Sequence, residues 1–319
     1  MSLPEGFKPM KGDVGEWSDF TFPCYASPKI DGYRCIASGG QALSAKLVPH
    51  GNQFIQQFFK EHAEALEGLD GELVVGAAND PEIFNKSGGA IRRTSGEPHF
   101  TFWVFDYVDA DMEFRARFGL LSDLLAREGS LAQRVRVVPT TYIRSLAELK
   151  GYYADRVAQG YEGIMVRSLN GPYKFGRSTR REGYLLKLKP FRDDEAVLLE
   201  VIEEQANTNA AQKDATGRTK RSSAKAGKVG KGTAGKLRVR FINGPFKDQE
   251  HIIGTGKLTK EQKQTLWDER FGLHDDARQG NYQLMTVHHM DHLGGYTRPR
   301  HAGFLRWRDW SDIDLPEAA

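Results

Sequence analysis

The pattern of apolar residues changes near Pro190, and this change most strongly limits the folds open to the chain. Before Pro190, segments with helical spacing alternate with short strand-like segments, whereas strand-like segments dominate after it. A chain of 319 residues is long enough for two domains, each with its own core. We therefore predict two domains, 1–190 and 191–319, that meet between Pro190 and Asp193.

The first domain is predicted to be α+β, with antiparallel sheets and flanking helices. Ser145 and Glu148 form a capping box that opens a helix, which Gly160 closes. Helical spacing predicts two further helices, and apolar or β-branched runs predict strands. The helices are 54–66 and 114–128, and the strands are 69–75, 100–108, 163–166 and 184–188.

The second domain is predicted to be a small β-barrel with one helix, for which the OB-fold is the commonest arrangement of that size. Thr259 and Gln262 form a capping box for a helix that ends near Phe271. The strands are 196–202, 236–242, 282–290 and 304–307.

Composition excludes several classes of protein. With 39% hydrophobic and 27% charged residues the chain is neither disordered nor fibrous, and it contains no apolar run long enough to span a membrane. The N-terminal residues do not follow the pattern of a secretory signal, and the two cysteines cannot build a disulfide framework. We expect a reduced, cytoplasmic protein without a membrane partner.

The net charge of +3 conceals a strongly basic segment. Between Lys213 and Arg240 there are ten basic residues and one acidic residue, so this segment carries +9 and the rest of the chain about −6. Small polar residues separate the charges, and we expect the segment to be mobile. It is either a solvated linker or an arm that binds nucleic acid, because lysines and arginines on phosphates release counterions.

The sequence Lys29-Ile-Asp31-Gly32-Tyr-Arg34 is the sharpest chemical signal. A lysine amine attacks phosphoryl groups once it has lost its proton, and Arg34 is a forked phosphate donor. Gly32 permits a tight turn between strands. A surface hairpin with salt-bridged charges explains the motif equally well when it is taken alone.

Five further segments carry charge where a nucleotide site needs it. Taken singly, each is better explained as a strand end, a solvated strand face or core. Together they supply the clustered cations, the carboxylate for a divalent metal and the apolar slot that a triphosphate site requires. The segments contain Asp70 and Glu72; Phe105 and Asp106; Glu162, Met165 and Arg167; Lys187 and Lys189; and Arg177.

In this order and spacing, the motifs resemble those of the covalent nucleotidyltransferase superfamily, and specifically the minimal ATP-dependent DNA ligases of Chlorella-virus and bacteriophage type. The resemblance continues through 173–179, 182–191 and 298–308, and residues 207–231 resemble the DNA-clasping latch of those ligases. It implies an adenylation (nucleotidyltransferase) domain at 1–190 and an OB-fold domain with the latch insert at 191–319.

The resemblance implies a three-step reaction that seals nicks in duplex DNA. Lys29 would attack the α-phosphorus of ATP to form lysyl-AMP, AMP would pass to the 5′-phosphate, and the 3′-hydroxyl would displace it. Mg²⁺ or Mn²⁺ is the implied metal, and a monomer encircling nicked DNA is the implied assembly. We expect Arg34, Lys187, Lys189 and bound Mg²⁺ to favour the neutral amine of Lys29 through like charge.

The resemblance also implies a role for each candidate residue. Glu162 and Asp31 would hold the metal, Glu72 the ribose, and Phe105 the adenine, with Met165 opposite. Asp31, Arg34 and Arg177 would position the ends of the nick. Arg300 and Arg308, with Asp309 or Asp312, would orient pyrophosphate. The DNA-binding residues of the second domain would be Arg218, Lys220, Arg221, Lys225 and Lys228.

The chain departs from the family pattern at one position. Family members carry Ser-Arg soon after the first motif, whereas this chain has Ser44-Ala45-Lys46. Lys46 would then bind the nucleotide as a point charge where a fork is usual.

Two other functions remain open on the sequence. An RNA ligase or an RNA-capping guanylyltransferase shares the lysine motif, and a non-catalytic OB-fold protein would share the basic arm. A role in DNA replication, repair or recombination follows from the ligase resemblance alone, and the sequence does not choose among the three.

Overall fold

The structure is a computed structural model that describes residues 3–80, 82–126, 131–213, 219–222, 224–290 and 298–312. The chain divides into two compact units, and the division falls between Pro190 and Phe191. In the ranges just given, no helix is long and apolar enough to cross a membrane. Cys24 and Cys35 are both buried and free.

The N-terminal unit contains two sheets and five helices in its described part. The strands are β1 (Lys11–Val14), β2 (Cys24–Pro28), β3 (Tyr33–Ser38), β4 (Gln41–Leu43), β5 (Leu69–Val75), β6 (Phe100–Tyr107), β7 (Val135–Val137), β8 (Thr141–Ile143), β9 (Ile164–Ser168), β10 (Arg177–Ser178) and β11 (Leu185–Leu188). The helices are α1 (Gln53–Glu61), α2 (Ala63–Leu66), α3 (Ile83–Ile91), α4 (Phe114–Ala126) and α5 (Leu146–Ala158).

The two sheets of this unit are mainly antiparallel, with parallel pairs toward their edges. The six-stranded sheet has the order β10-β1-β11-β9-β2-β8, and β1 pairs in parallel with both β10 and β11. The five-stranded sheet has the order β4-β3-β5-β6-β7, and only its β6–β7 pair is parallel. The predicted α+β class is therefore confirmed.

Strand β6 shows how the sequence divides the unit into layers. Its residues alternate between buried and partly buried positions. Phe100, Phe102 and Val104 join the core that the five-stranded sheet shares with helices α1, α2 and α4. Trp103 and Phe105 point to the opposite side, because successive side chains of a strand face opposite ways. This second face looks onto the cavity described below.

The C-terminal unit is built around a closed five-stranded barrel of order β12-β15-β16-β18-β17. The fold predicted for the second domain, a small β-barrel of OB type, is thus confirmed. Its strands are β12 (Phe191–Asn207), β13 (Ala211–Lys213), β14 (Thr219–Arg221), β15 (Lys228–Phe241), β16 (Glu250–Gly254), β17 (Leu284–Met290) and β18 (Arg300–Arg308). Its helices are α6 (Lys260–Asp268) and α7 (Arg270–Arg278).

Three details of this unit differ from the predictions. Strands β12 and β15 are much longer than predicted, and they pair as far as Asn207 and Lys228, beyond the barrel core. The helix capped by Thr259 ends at Asp268, and a second helix, α7, follows directly. Strand β14 lies within the segment that we expected to be mobile, and it forms a small antiparallel hairpin with β13, which ends at the first residue of that segment.

Two helix caps of the N-terminal unit, at Asn52 and Ser145, allow the fold to be tested directly. Asn52 caps α1 and is fully buried: its Oδ1 accepts a hydrogen bond from the Ile55 backbone N–H at 3.0 Å, and its Nδ2 donates to the Gly96 carbonyl at 3.1 Å. Ser145 caps α5 through a single bond to the backbone N–H of Glu148, whose side chain accepts from Arg144 rather than completing a capping box.

Replacement of Asn52 by alanine should lower the free energy of unfolding by about 2–3 kcal/mol, because it removes a cap and also the bond from the buried Asn52 amide to the Gly96 carbonyl. Ser145→Ala, which removes a single cap bond, should cost about 1 kcal/mol. Urea unfolding of both variants measures the difference. Equal losses of stability would contradict the structural role given to the Asn52 amide.

Candidate active site

The candidate residues of the N-terminal unit surround a cavity of about 210 Å³ between its two sheets. Eight of the residues singled out in the sequence line it. They are Lys29, Arg34, Glu72, Phe105, Met165, Arg167, Arg177 and Lys187.

Three strands of the six-stranded sheet bring Lys29, Glu162 and Lys189 together. Strand β9 is antiparallel to both β2 and β11, and Ile164 pairs with Pro28 on one side and with Leu188 on the other. The end of β2, the start of β9 and the end of β11 therefore lie at the same sheet edge. Each of the three charged residues lies one or two positions from this row.

Gly163 is required for this approach. Its φ is +134°, and a Cβ at this position would lie 2.0 Å from the carbonyl oxygen of Leu188. Its own carbonyl accepts a 2.9 Å hydrogen bond from the backbone N–H of Lys29. Only glycine allows the chain to pass this close to β11 while holding Lys29 beside Glu162.

Glu162 is an ion-pair partner of both lysines: one carboxylate oxygen contacts Lys29 Nζ and the other contacts Lys189 Nζ. Burial opposes ionisation of Glu162, but the two lysines outweigh it and hold the pKa of Glu162 below its usual value. Glu162 is only 5% exposed, so these contacts are little screened by water.

The protein groups around Lys29 do not by themselves favour its neutral amine. Burial lowers the pKa of Lys29, but the negative charge of Glu162, together with Glu72 and Asp31, raises it above the ordinary lysine value. The prediction took account of the neighbouring cations and not of the Glu162 carboxylate, which contacts Lys29 directly. A protonated amine has no free electron pair, so Lys29 becomes a nucleophile only when its contact with Glu162 opens.

Lys187 behaves in the way expected of a lysine among cations. It lies in a row across β2, β9 and β11 with Ser27 and Met165, all three lining the cavity. Burial first, and then the positive charges of Lys189 and Arg177, lower the pKa of Lys187. Its Nζ donates to the Gly12 carbonyl at 3.2 Å.

The five-stranded sheet supplies Arg34 and Glu72 from directly paired positions on β3 and β5. Gly32 allows the chain to reach this pairing, because a Cβ there would lie 2.6 Å from the Leu73 carbonyl oxygen. This close backbone approach requires glycine at position 32. The chain passes here from β2 to β3, which belong to different sheets. The guanidinium carbon of Arg34 lies 4.8 Å from the centre of the Phe105 ring.

Two buried carboxylates hold the arginines of the cavity, and the sequence analysis gave them no role. Asp70 receives Arg34, with Nε at 2.5 Å from Oδ1. Asp106 receives Arg117 at 2.7 Å and Arg167 at 2.6 Å. Asp106 lies on the core face of β6, and a carboxylate there needs partners because an unpaired buried charge is very costly. The position of Asp106 among the buried residues of β6 was therefore the sequence signal for a paired carboxylate.

Of the remaining candidates of this unit, Asp31 and Lys46 are not among the residues that line the cavity, whereas Arg177 is. Asp31 is close enough for its charge to act on Lys29 and Glu72. Arg177 extends an exposed side chain and pairs with Asp13 at 3.3 Å. Lys46 is exposed in the turn after β4 and is not among the residues that line the cavity, so its predicted nucleotide contact stays a prediction.

The candidates of the second domain lie in the C-terminal unit. Arg300 and Arg308 are on β18, and Arg308 Nε is 3.9 Å from Glu195. Asp309 accepts hydrogen bonds from the backbone and side chain of Ser311, and Asp312 ends a short 3₁₀ turn. Their predicted role in orienting pyrophosphate stays a prediction.

The basic segment is partly anchored. Lys220 and Arg221 are on β14, and the exposed residues Lys225 and Lys228 follow it, whereas Arg218 lies outside the described residues. Asn209 Nδ2 donates to the carbonyls of Ser222 and Ala224 at 2.9 Å each. These bonds tie the hairpin to the chain that returns into β15, and the exposed cations remain at its surface.

The described residues contain no group of three or more His, Cys, Asp or Glu side chains that could hold a metal alone. Mg²⁺ is commonly bound by one or two carboxylates together with substrate phosphates. The carboxylate of Glu162, with Asp31 nearby, fits a site of that kind.

The fold and this cavity are those of a nucleotidyltransferase domain followed by a small barrel. The family model of the ATP dependent DNA ligase domain matches residues 21–189, which is more than half of the chain. The chain belongs to the ATP-dependent DNA ligase family.

Curated relatives and solved structures are consistent with this family. A DNA ligase of African swine fever virus is 30% identical over 135 residues, which are 41% of this chain and 31% of that protein. A probable DNA ligase of Kineococcus radiotolerans is 30% identical over 134 residues, 42% of this chain and 26% of that protein. The matches thus span less than a third of the length of these relatives.

Two solved structures cover nearly the whole chain. The DNA ligase-adenylate of Chlorella virus is 25% identical with a TM-score of 0.52, over 95% of this chain and 98% of that one. A Lig E DNA ligase is 21% identical with a TM-score of 0.64, over 94% and 99%. The second likeness concerns the fold alone.

Glu72 provides a pH-dependent test of the cavity. Burial raises its pKa to about 8, against the opposing effect of Arg34 and Lys29. In the unfolded chain the same carboxyl loses its proton near pH 4.5. Raising the pH between these values therefore favours unfolding. Between pH 5 and pH 8 the unfolding free energy of the wild type should fall by about 1–3 kcal/mol, a range that is reduced for partial solvent access to Glu72. Glu72→Gln cannot lose this proton, so its unfolding free energy should not show this fall.

Urea unfolding at several pH values measures this difference. Glu64→Gln, at an exposed carboxylate on α2, is the matched control and should follow the wild type. Parallel profiles for the wild type and Glu72→Gln would contradict a protonated Glu72 at neutral pH.

Proposed function

We propose that this chain is an ATP-dependent DNA ligase that joins a 5′-phosphate to a 3′-hydroxyl at nicks in duplex DNA. The observation that carries the proposal is the contact of Lys29 with Glu162 at the wall of a cavity that is rich in cations. Membership of the ATP-dependent DNA ligase family supports ATP as the nucleotide and DNA as the polymer.

In the first step Lys29 Nζ attacks the α-phosphorus of ATP. A P–N bond forms, the bond to pyrophosphate breaks, and AMP remains on the lysine. The ion pair between Lys29 and Glu162 has to open first, since the amine must give up its proton. Lys187 and Arg34 face the same cavity and receive the negative charge that grows on the phosphate.

Bound Mg²⁺ would be held by Glu162, with Asp31 nearby, and would neutralise charge on the phosphate oxygens. Phe105 and Met165 line the apolar part of the cavity, where the adenine ring would lie between them. Glu72, which burial keeps largely protonated near neutral pH, would hydrogen-bond a ribose hydroxyl.

The later steps use the arginines. AMP passes from Lys29 to the 5′-phosphate of the nick, and the 3′-hydroxyl then displaces AMP to form the phosphodiester. Arg34 and Arg177, with Asp31, would position the two ends. Arg300 and Arg308 would contribute to the first step from the C-terminal unit. The protein would act as a monomer that encircles DNA inside the cell.

An RNA ligase or a capping guanylyltransferase remains the second candidate, because the lysine chemistry is the same. Nothing in the described structure favours it over DNA. The family match favours the DNA substrate.

Lys29→Ala should abolish transfer of label from α-labelled ATP to the protein, because no other group replaces the nucleophile. Gel analysis after incubation with Mg²⁺ measures the transfer. Lys150→Ala, at an exposed lysine on α5, is the matched control and should label as the wild type does. A wild type that takes label from GTP and not from ATP, or that takes none, would refute the proposed first step.

The basic hairpin should matter for sealing far more than for labelling. Replacement of Lys220, Arg221, Lys225 and Lys228 by glutamine should weaken DNA binding at least tenfold at 0.15 M salt, because several cations that would bind DNA phosphates are removed together. It should also reduce the slope of log affinity against log salt by about 0.9 for each phosphate that is no longer neutralised. Lysine adenylation should change less than twofold.

Fluorescence titration with nicked duplex at three salt concentrations measures both effects. Glutamine at Lys247, Lys257 and Lys260, which lie elsewhere in the C-terminal unit, is the control for a general loss of positive charge. Equal reductions of labelling and sealing would contradict the assignment of the hairpin as a DNA clasp.

A further inference from the structure

Arg34 is held by a buried network behind the cavity wall. Asp70, which is fully buried, receives two of its three guanidinium nitrogens, and the second of these, Nη2, also donates to the Met10 carbonyl at 2.9 Å. No hydrogen bond of the third nitrogen, Nη1, is found among the described residues. This leaves a donor group for a substrate phosphate.

Tyr173 completes the network from the side away from the cavity. Its side chain is 1% exposed and is not among the residues that line the cavity. The hydroxyl donates to Asp70 Oδ2 at 2.6 Å and accepts from the Met10 backbone N–H at 3.2 Å. The ring packs against Phe7 and Phe175 at centroid distances of 6.0 and 6.4 Å.

The hydroxyl and the ring of Tyr173 therefore do different things. The ring fills the core of the N-terminal segment, and the hydroxyl fixes the plane of the Asp70 carboxylate. A carboxylate turns easily about its last torsion, whose energy profile is broad. When the Asp70 carboxylate turns, the guanidinium of Arg34 turns with it, because the two hydrogen bonds between them are kept.

We propose that Tyr173 is a positioning residue for Arg34: through Asp70, its hydroxyl sets the direction in which the third guanidinium nitrogen, Nη1, meets the substrate phosphate. The inference rests on the proposed ligase function. Asp106 holds Arg167 from the other buried carboxylate, but its further partners are Arg117 and the backbone N–H of Tyr107, and no tyrosine hydroxyl is among its partners in the described residues.

Tyr173→Phe tests the role of the hydroxyl, since it keeps the ring and its packing. At saturating nicked DNA the single-turnover sealing rate should fall about tenfold, because small displacements of a positioning group are costly in rate. The KM for the nick should change less than twofold. Tyr152→Phe removes a hydroxyl elsewhere in the same unit and should seal at the wild-type rate.

A double-mutant cycle separates positioning from a general disturbance of the structure. In an Arg34→Lys background, where the fork on Asp70 is already absent, Tyr173→Phe should lower sealing less than twofold further. Phe175→Leu, which loosens the same aromatic packing without touching Asp70, should lower thermal stability at least as much as Tyr173→Phe and leave sealing near the wild-type rate.

Three results would overturn the positioning role. They are a Tyr173→Phe enzyme that seals within twofold of the wild type, the same fold reduction in both Arg34 backgrounds, and a Phe175→Leu enzyme whose sealing falls equally. A wild type that takes no label and seals no nick would overturn the proposed function and this inference together. A wild type that seals, with any of the three results above, overturns the positioning role alone.

Discussion

Three buried carboxylates determine how the cavity is built. Each is buried and holds two side-chain donors, because a buried charge is tolerated only when it is paired and hydrogen-bonded. The sets are Glu162 with Lys29 and Lys189, Asp106 with Arg117 and Arg167, and Asp70 with Arg34 and Tyr173. Removal of one carboxylate would release two donors at once.

This pairing places Lys29, Arg34 and Arg167 in the cavity wall, while their carboxylate partners are not among the residues that line it. The cations reach the cavity from fixed positions, and Lys187 adds a positive charge for which the structure shows an ion pair with none of the three carboxylates. Groups that are fixed before a substrate arrives do not have to be reorganised when negative charge develops, and this is the main physical advantage of such a site. The same arrangement restrains Lys29, whose contact with Glu162 must open before the amine can react.

Much of this architecture could be predicted from local sequence. The alternation of β6 and the caps of α5 and α6 located these elements to within a few residues, since each depends on neighbours in the chain. The order of the motifs was enough to gather Lys29, Glu162 and Lys189. The extension of β15 was missed because Gly230, Gly232 and Gly235 lie in it, and glycine weakens a strand prediction.

The contacts that local sequence could not predict join residues that are far apart in the chain. The contact of Tyr173 with Asp70 joins residues 103 positions apart, and that of Arg167 with Asp106 joins residues 61 apart. No periodicity reports such contacts. The raised pKa of Lys29 was missed for the same reason, since its cause, Glu162, is 133 positions away.

The most direct test of the account is sealing of a singly nicked DNA duplex with ATP, compared with the same duplex carrying RNA on either side of the nick. The account predicts that the wild type converts the all-DNA nick to intact strand with release of AMP. It also predicts that Lys29→Ala does not seal that nick with ATP but still seals one that carries AMP on its 5′-phosphate, since the lysine is needed only for the first step. Failure of the wild type on DNA, with efficient sealing of RNA ends, would contradict it.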